Sequence, residues 1–573
     1  MRLLLLTHAF NSLAQRLFVE LRADGHELSV EFDIADAVTE EAVALWQPEV
    51  VIAPFLKRRI PESLWSTRLC LVVHPGPPGD QGPSALDWAV LGDEPQWGVT
   101  VLQATGQYDA GPVWASRRFA MRRGATKSGL YRREVVDAAT EAVREALARV
   151  AAVPPALPSA PSPGRWQPLM TQADRRIDWA RDDTAAVLRK VRCADGSPGL
   201  ADALFGVPTQ LHDVHAASVD DLRRVPAGAP AEVVARRGPG LLRRTVDGAV
   251  WIGHVRRRRD DGLPALKLAA TRAFAAECAG LPELAVPLQR DAQTWDELRY
   301  REHGPEGQRV GVLSFDFHNG AMSTRQCRRL LAALAEVARR PTRVLVLDGG
   351  AEHFCNGIHL HDIEADQLAG GSAADASLAN IEAIDDVALA VLSLGDRLVV
   401  AALRGNAGAG GCFLALAADE VWAHRGVVQN PHYKNMGNLF GSEYWTYLLP
   451  RRVGEARAQS VMRARLPIGA VEARALGLVD ALLADSAAGF EAAVTQRALA
   501  LAASPELAAR ILAKARGREA DERTRPLADY RAAELAAMRL NFYGFDASYH
   551  VARHHFVHRK PHAWTPRHLA VHR

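Results

Sequence analysis

Residues 344–360 read VLVLDGGAEHFCNGIHL and residues 404–423 read RGNAGAGGCFLALAADEVWA. The first opens on a β-rich apolar strand, Arg343 to Leu347, that ends in Asp-Gly-Gly. In the second, Gly408, Gly410 and Gly411 let the backbone approach a ligand closely, and a helix starting there aims free N–H groups at it. Together these features favour an anionic oxygen. The competing reading, glycines that serve only close helix packing, accounts for each motif alone but not for their order and spacing.

Working outward, a strand Val310 to Asp316 and a helix Thr324 to Arg339 precede the first stretch, so a second α/β domain begins near residue 308. The charged, helical-looking sequence before it is read as a connector, 276–307. Helix-rich sequence follows from Ala487 to Arg539. The tail, 550–573, holds seven of the twenty histidines, five Arg or Lys residues and no acidic residue, a composition suited to meeting an anion.

With NGAMS at Asn319–Ser323, these motifs resemble the crotonase (enoyl-CoA hydratase/isomerase) superfamily. The resemblance implies a coenzyme A thioester ligand whose oxygen is held by the N–H groups of Ile358 and Gly410, an oxyanion hole. The positions of the two hydratase glutamates hold Phe413 and His432, which argues against water addition to an enoyl-CoA. The segment QNPHYKNMGNLFGSEYWTYLLPRRVG instead offers Tyr433, Lys434 and Glu443. Glu443 is assigned as proton acceptor and Tyr433 as its hydrogen-bond partner or proton donor; the alternative is that either is a satisfied core group.

The first 120 residues alternate strand and helix patterns: Leu3–Leu6, Leu28–Phe32, Val50–Ala53, Cys70–Val73 and Val99–Gln103 are the strands. That rhythm predicts a parallel, doubly wound sheet. No G-x-G-x-x-G follows the first strand, so dinucleotide binding is disfavoured. His74 is presented on a Pro/Gly loop at a strand's carboxyl end, where open α/β sheets bind ligands, and Asp109 stands on a turn where it can pair with it. The segment Leu71–Trp114 resembles folate-dependent formyltransferases, with their Asn-x-His-Pro and Asp-x-Gly motifs. RIDW at Arg176–Trp179 resembles the start of the barrel-like domain that follows in methionyl-tRNA formyltransferases. The resemblance implies a Rossmann-like domain that binds N10-formyltetrahydrofolate through Gln15, His74 and Asp109. Val72 stands where that family has asparagine, which puts transfer to an amine in doubt and suits a thiolate acceptor.

The expected architecture is α/β multidomain. It comprises a formyltransferase-like domain at 1–152, the Pro/Ala linker 153–168, a small β-rich, OB-like domain at 169–275, the connector, and a crotonase-like domain with C-terminal helices at 308–573. Nearly the whole chain resembles the HypX (HoxX) hydrogenase maturation factors. That resemblance implies formyl transfer from N10-formyltetrahydrofolate to coenzyme A, then decarbonylation of formyl-CoA to carbon monoxide for the iron of [NiFe]-hydrogenase. It also implies hydrogenase maturation proteins as partners. A non-catalytic folate and CoA scaffold or sensor, and a formyltransferase acting on an amine, are the alternatives. Arg559 and Lys560 are candidates for the CoA phosphates, against the alternative of a solvated tail.

Composition fits this reading. The 573 residues are 48% hydrophobic and 24% charged, with a net charge of +3, which argues against a nucleic-acid surface. No apolar run is long enough to span a membrane. Met1–Leu6 is too short for a signal-peptide core, so a cytoplasmic enzyme is expected. Six scattered cysteines and the tail pattern H-x₃-H-H-x₂-H do not form a defined metal site, and no metal is assigned.

Overall fold

The computed structural model describes residues 1–153, 157–162, 164–290 and 293–573. The chain forms two compact units: 1–265 with 269–282 and 561–573, and 266–268 with 283–560.

The first unit opens with β1 (Arg2–Thr7), α1 (Ser12–Ala23), β2 (Glu27–Phe32), β3 (Val50–Phe55), β4 (Leu69–His74), α2 (Ala85–Leu91), β5 (Gln96–Gln103), β6 (Val113–Ala120) and α3 (Val136–Ala151). Leu3, Leu4, Leu5 and Leu6 of β1 are all buried, as befits a strand covered on both faces. The sheet order is β2-β1-β3-β4-β5-β6. It is parallel through β4 only, because β5 runs antiparallel to both neighbours. This corrects the parallel expectation: β5 returns beside β4 in the opposite sense after residues 75–95, and residues 104–112, too few for a crossover helix, lead on to β6 as a hairpin.

The β-rich module follows with α4 (Thr184–Arg192), β7 (Leu200–Leu204), β8 (Val207–Ala216), β9 (Val233–Arg237), β10 (Gly240–Arg244) and β11 (Ala249–Arg257), ordered β9-β10-β11-β8-β7 with antiparallel pairing. It packs on the first sheet's unit through Met170 and Cys193, which join Val90, Ala125 and Leu130 in one apolar cluster. The linker is not a free spacer. Ser159 exchanges both backbone hydrogen bonds with Val113, and Arg165–Trp166 pair with Asp80–Gln81. Linker residues 154–156 and 163 lie outside the described residues.

The second unit contains β12 (Leu298–His303), β13 (Val310–Phe315), α5 (Thr324–Ala338), β14 (Val344–Gly349), β15 (His353–Cys355), α6 (Leu360–Leu368), α7 (Ala373–Leu392), β16 (Leu398–Leu403), β17 (Asn406–Gly408), α8 (Gly410–Leu416), β18 (Glu420–His424), β19 (Val428–Asn430), α9 (Trp445–Val453), β20 (Ile468–Gly469) and β21 (Ala481–Ala484). Four C-terminal helices complete it: α10 (Phe490–Ala503), α11 (Leu507–Thr524), α12 (Leu527–Tyr543) and α13 (Ser548–Val557). The main sheet is β12-β13-β14-β16-β18-β21, and a second one is β15-β17-β19-β20. Period-two alternation divides each central strand between two cores: Leu345 and Leu347 enter one, Val344 and Val346 the other. The expected connector therefore includes an edge strand, β12. Its Leu298 and Tyr300 are buried while Arg299 and Arg301 alternate with them, which is strand period rather than helix period. Among the described residues, no helix is long and apolar enough to cross a membrane.

Residues 561–573 pack in the first unit. They cover edge strand β2: Val30 N–H donates to Leu569 O, and Phe32 N–H donates to Thr565 Oγ1 at 2.9 Å. Glu31, fully buried, receives Thr565 Oγ1, His572 Nε2 (3.0 Å) and Arg573 Nη2 (2.8 Å). Burial alone pushes its pKa up, but these donors outweigh burial and hold it below the usual carboxylate value. A depressed carboxylate stabilises the fold above its unfolded pKa and loses that contribution as pH falls. Glu31→Ala is therefore expected to destabilise the first unit by about 2–4 kcal/mol near pH 7. In urea unfolding the difference from the parent should shrink toward acid pH.

Candidate active sites

The carboxyl ends of β1 to β4 carry the polar groups of the first site. β4 delivers His74, buried, into the Pro75–Ser84 loop, and a side chain at Gly76 would overlap both His74 and Asp80. His74 lies between two carboxylates: Nε2 is 2.7 Å from Asp80 Oδ2 and Nδ1 is 3.4 Å from Asp109 Oδ1. Asp109 adopts a left-handed conformation (φ 51°), and its Oδ2 accepts the Gly82 N–H at 3.1 Å. Asp80 Oδ1 accepts the Gln167 amide at 3.2 Å. Asp80 anchors Nε2, and the longer Asp109 contact leaves Nδ1 as the ring nitrogen through which a proton can be exchanged.

His74 and Asp109 are thus brought together, whereas Gln15 turns its amide back to Phe10 O at 2.8 Å. Val72 packs against the apolar cluster of Leu4, Val51 and Cys70. Sequence reasoning missed Asp80, which stands in the His74 loop but reads there as an ordinary turn residue. It also missed His8, whose Nδ1 meets Asp33 Oδ1 at 2.8 Å on the same sheet edge. Only their common position at strand ends marks them.

The second site lies where β15 and β17, parallel neighbours, release their loops side by side. Gly357 (φ 80°) leads into Ile358, and Ala409 (φ 48°) leads into Gly410. The bridge between Met322 and Ile358 uses the Met322 N–H and the Gly357 carbonyl (2.9 Å), leaving the Ile358 N–H outside it. Gly410 N–H, at the first turn of α8, has no intrahelical acceptor. The Gly357 α-carbon and the Gly410 amide are neighbours, so the two expected oxyanion donors share one place.

Glu443 closes this place. A side chain at Gly410 would overlap the Glu443 carboxyl, so the glycine is required for the carboxylate to reach the N–H pair. Tyr433 OH donates to Glu443 Oε2 and to Ser442 O, and its ring stacks on Phe413 at 5.3 Å. The phenylalanine in the hydratase glutamate position therefore positions the tyrosine. Glu443 and Tyr444 both have φ 59°, each a conformation costing about 1–2 kcal/mol for a non-glycine residue. Asp385 and Glu534, which sequence reasoning did not single out, hold this turn. Glu443 N–H donates to Asp385 Oδ1 (2.8 Å), and Glu534 accepts the N–H groups of Tyr444 (2.9 Å) and Thr446 (2.8 Å).

Burial, followed by the charge of Asp385, pushes the Glu443 pKa up to about 8. Burial likewise raises Asp385 to about 7 and Glu534 to about 8, and drives the Tyr433 hydroxyl well above its usual value.

Arg559 and Lys560 stand on the exposed turn that ends α13, where Lys560 N–H donates to His555 O. Much of the tail's charge is instead satisfied internally. Arg553 Nε is 2.9 Å and His558 Nε2 is 2.8 Å from buried Glu364, and His572 and Arg573 hold Glu31.

Residues 308–567 match the enoyl-CoA hydratase/isomerase family model. The full chain is 53% identical to the hydrogenase maturation factor HoxX of Bradyrhizobium diazoefficiens, covering 97% of that protein. The chain belongs to the HypX/HoxX family of hydrogenase maturation factors. The crystal structure of HypX from Aquifex aeolicus in complex with tetrahydrofolic acid is 43% identical and matches with a TM-score of 0.94, covering all of this chain and 99% of that one. A 211-residue segment, 36% of the chain, is 25% identical to human mitochondrial 10-formyltetrahydrofolate dehydrogenase and spans 22% of it. This chain thus carries a formyltransferase-like part and an enoyl-CoA hydratase/isomerase-like part.

Carboxyls with raised pKa keep protons in the folded state that the unfolded chain has released, so stability falls as pH rises from the unfolded value toward the folded one. Thermal unfolding of the HypX/HoxX chain should show stability declining as pH rises from about 4.5 to about 8, by at most about 1.4 kcal/mol per pH unit for each group. Glu443→Gln should make the decline shallower, with Glu534 carrying the remainder.

Proposed function

We propose that this chain makes carbon monoxide for hydrogenase maturation in two steps. N10-formyltetrahydrofolate gives its formyl group to the thiol of coenzyme A, and the resulting formyl-CoA is split into CO and free CoA. In the first step a thiolate attacks the formyl carbon, the C–N bond to the folate breaks, and the departing nitrogen is protonated; His74, oriented by Asp80 and Asp109, is the group placed to handle that proton. An apolar Val72 leaves out a polar group that the related amine-directed enzymes possess, which supports a sulfur acceptor.

The reading rests chiefly on Glu443, whose carboxyl lies against Gly410. The Ile358 and Gly410 N–H groups hold the thioester oxygen and turn the formyl hydrogen toward Glu443. Glu443 takes that proton, the C–H pair becomes the carbon lone pair of CO, and the C–S pair leaves with sulfur. The thiolate then recovers the proton from Glu443, so that HCO–SCoA yields CO and HS–CoA with no other reactant. Tyr433 steadies the carboxylate through its hydroxyl. Hydrogenase maturation proteins, in the cytoplasm, are the proposed recipients of the CO.

Purified protein supplied with N10-formyltetrahydrofolate and CoA should release CO, detected by the spectral shift of a haem protein. Glu443→Gln should lower CO release from formyl-CoA by at least about 100-fold, and Asp109→Asn should slow formyl transfer by a similar factor. Because the base form of Glu443 is required, turnover of formyl-CoA should rise with pH and level off near about 8. Formylation of an amine in place of CO release would overturn the proposal.

A further inference from the structure

The turn that carries Glu443 is built from two successive left-handed, non-glycine residues, Glu443 and Tyr444. Such conformations persist only where the surroundings over-determine them. Here the determinants are two carboxylates from distant helices. Asp385 on α7 accepts the Glu443 N–H; Glu534 on α12 accepts the N–H of Tyr444 and both the N–H and the hydroxyl of Thr446, the last at 2.5 Å. Asp385 and Glu534 are both 0% exposed.

Serine or asparagine would cap such a turn without the cost of burying an acid. Two carboxylates, placed where the proton acceptor itself is a carboxylate, do more than satisfy amides. We propose that Asp385 and Glu534 are positioning residues of the second site, which clamp the Glu443 turn so that its carboxyl bears on Gly410 and which act on that carboxyl through their own charge. This rests on Glu443 being the proton acceptor.

The groups facing the clamp come from several elements. Tyr433 donates to Glu443 from the loop after β19, and Cys327 of α5 and Cys355 of β15 lie close to the same carboxyl. Asp385 faces Arg531 of α12 (Nε to Oδ2, 3.8 Å), whose guanidinium is also held by Asp386 at 2.7 Å. Arg531 is the cation nearest Asp385 in this set, and at 3.8 Å it compensates the aspartate only in part. Negative charge on Asp385 therefore keeps the Glu443 proton in place and makes the carboxylate, once formed, a stronger base.

Asp385→Asn retains an acceptor oxygen for the Glu443 N–H and removes the charge, whereas Asp385→Ala removes both. In the full chain, the Glu443 carboxyl can be titrated by infrared difference spectroscopy, its band assigned by loss in Glu443→Gln. Asp385→Asn should lower the Glu443 titration by about one pH unit or more and move the acid limb of formyl-CoA turnover with it. Asp385→Ala should lose about 100-fold activity at every pH. An unshifted titration in Asp385→Asn would overturn the proposal. Should that variant fail to fold, Glu534→Gln is read in the same way, with a smaller downward shift expected and none overturning the proposal. A parent protein that releases no CO would sink the decarbonylation reading alone, because the titration does not depend on turnover.

Discussion

The contact between the Glu443 carboxyl and the bare α-carbon of Gly410 is the constraint on which the second unit depends. An acid brought so close to a backbone α-carbon needs a glycine opposite it, a turn that aims it, and partners that tolerate it when buried. The chain supplies each from a different place. β17 and α8 supply the glycine, the left-handed pair 443–444 supplies the aim, and Tyr433, Asp385 and Glu534 supply the partners. Phe413 stacks on Tyr433 and so supports the ring whose hydroxyl meets Glu443.

The first unit solves a simpler problem with the same logic. The carboxyl ends of the parallel strands release His8, Asp33 and His74, and the loop after antiparallel β5 brings Asp109 to His74. His74 has a carboxylate beside each ring nitrogen, and a side chain at Gly76 would overlap both His74 and Asp80. The tail that closes β2 removes an exposed edge, and Glu31 serves as its anchor.

Much of this was legible in the residues. Strands appeared as apolar runs, the glycine-rich donors as a motif, and His74, Asp109, Tyr433 and Glu443 as polar groups in loops at strand ends or beside the donors. The misread segments share a cause. β12 hides its period-two pattern among arginines, the hairpin of β5 and β6 looks like one more parallel unit, and the basic tail declares its charge but not the two buried glutamates that absorb it.

The amino-acid sequence by itself determined the two halves, their order, and the residues able to take or give a proton, because these follow from local periodicity and from chemistry carried by single side chains. Only the tertiary structure decided which acids act on them. Asp80, Asp385 and Glu534 are unremarkable in sequence, and the last two stand 58 and 90 residues from the backbone groups they hold. Their importance arises from burial and proximity, which exist only once helices distant along the chain have packed together.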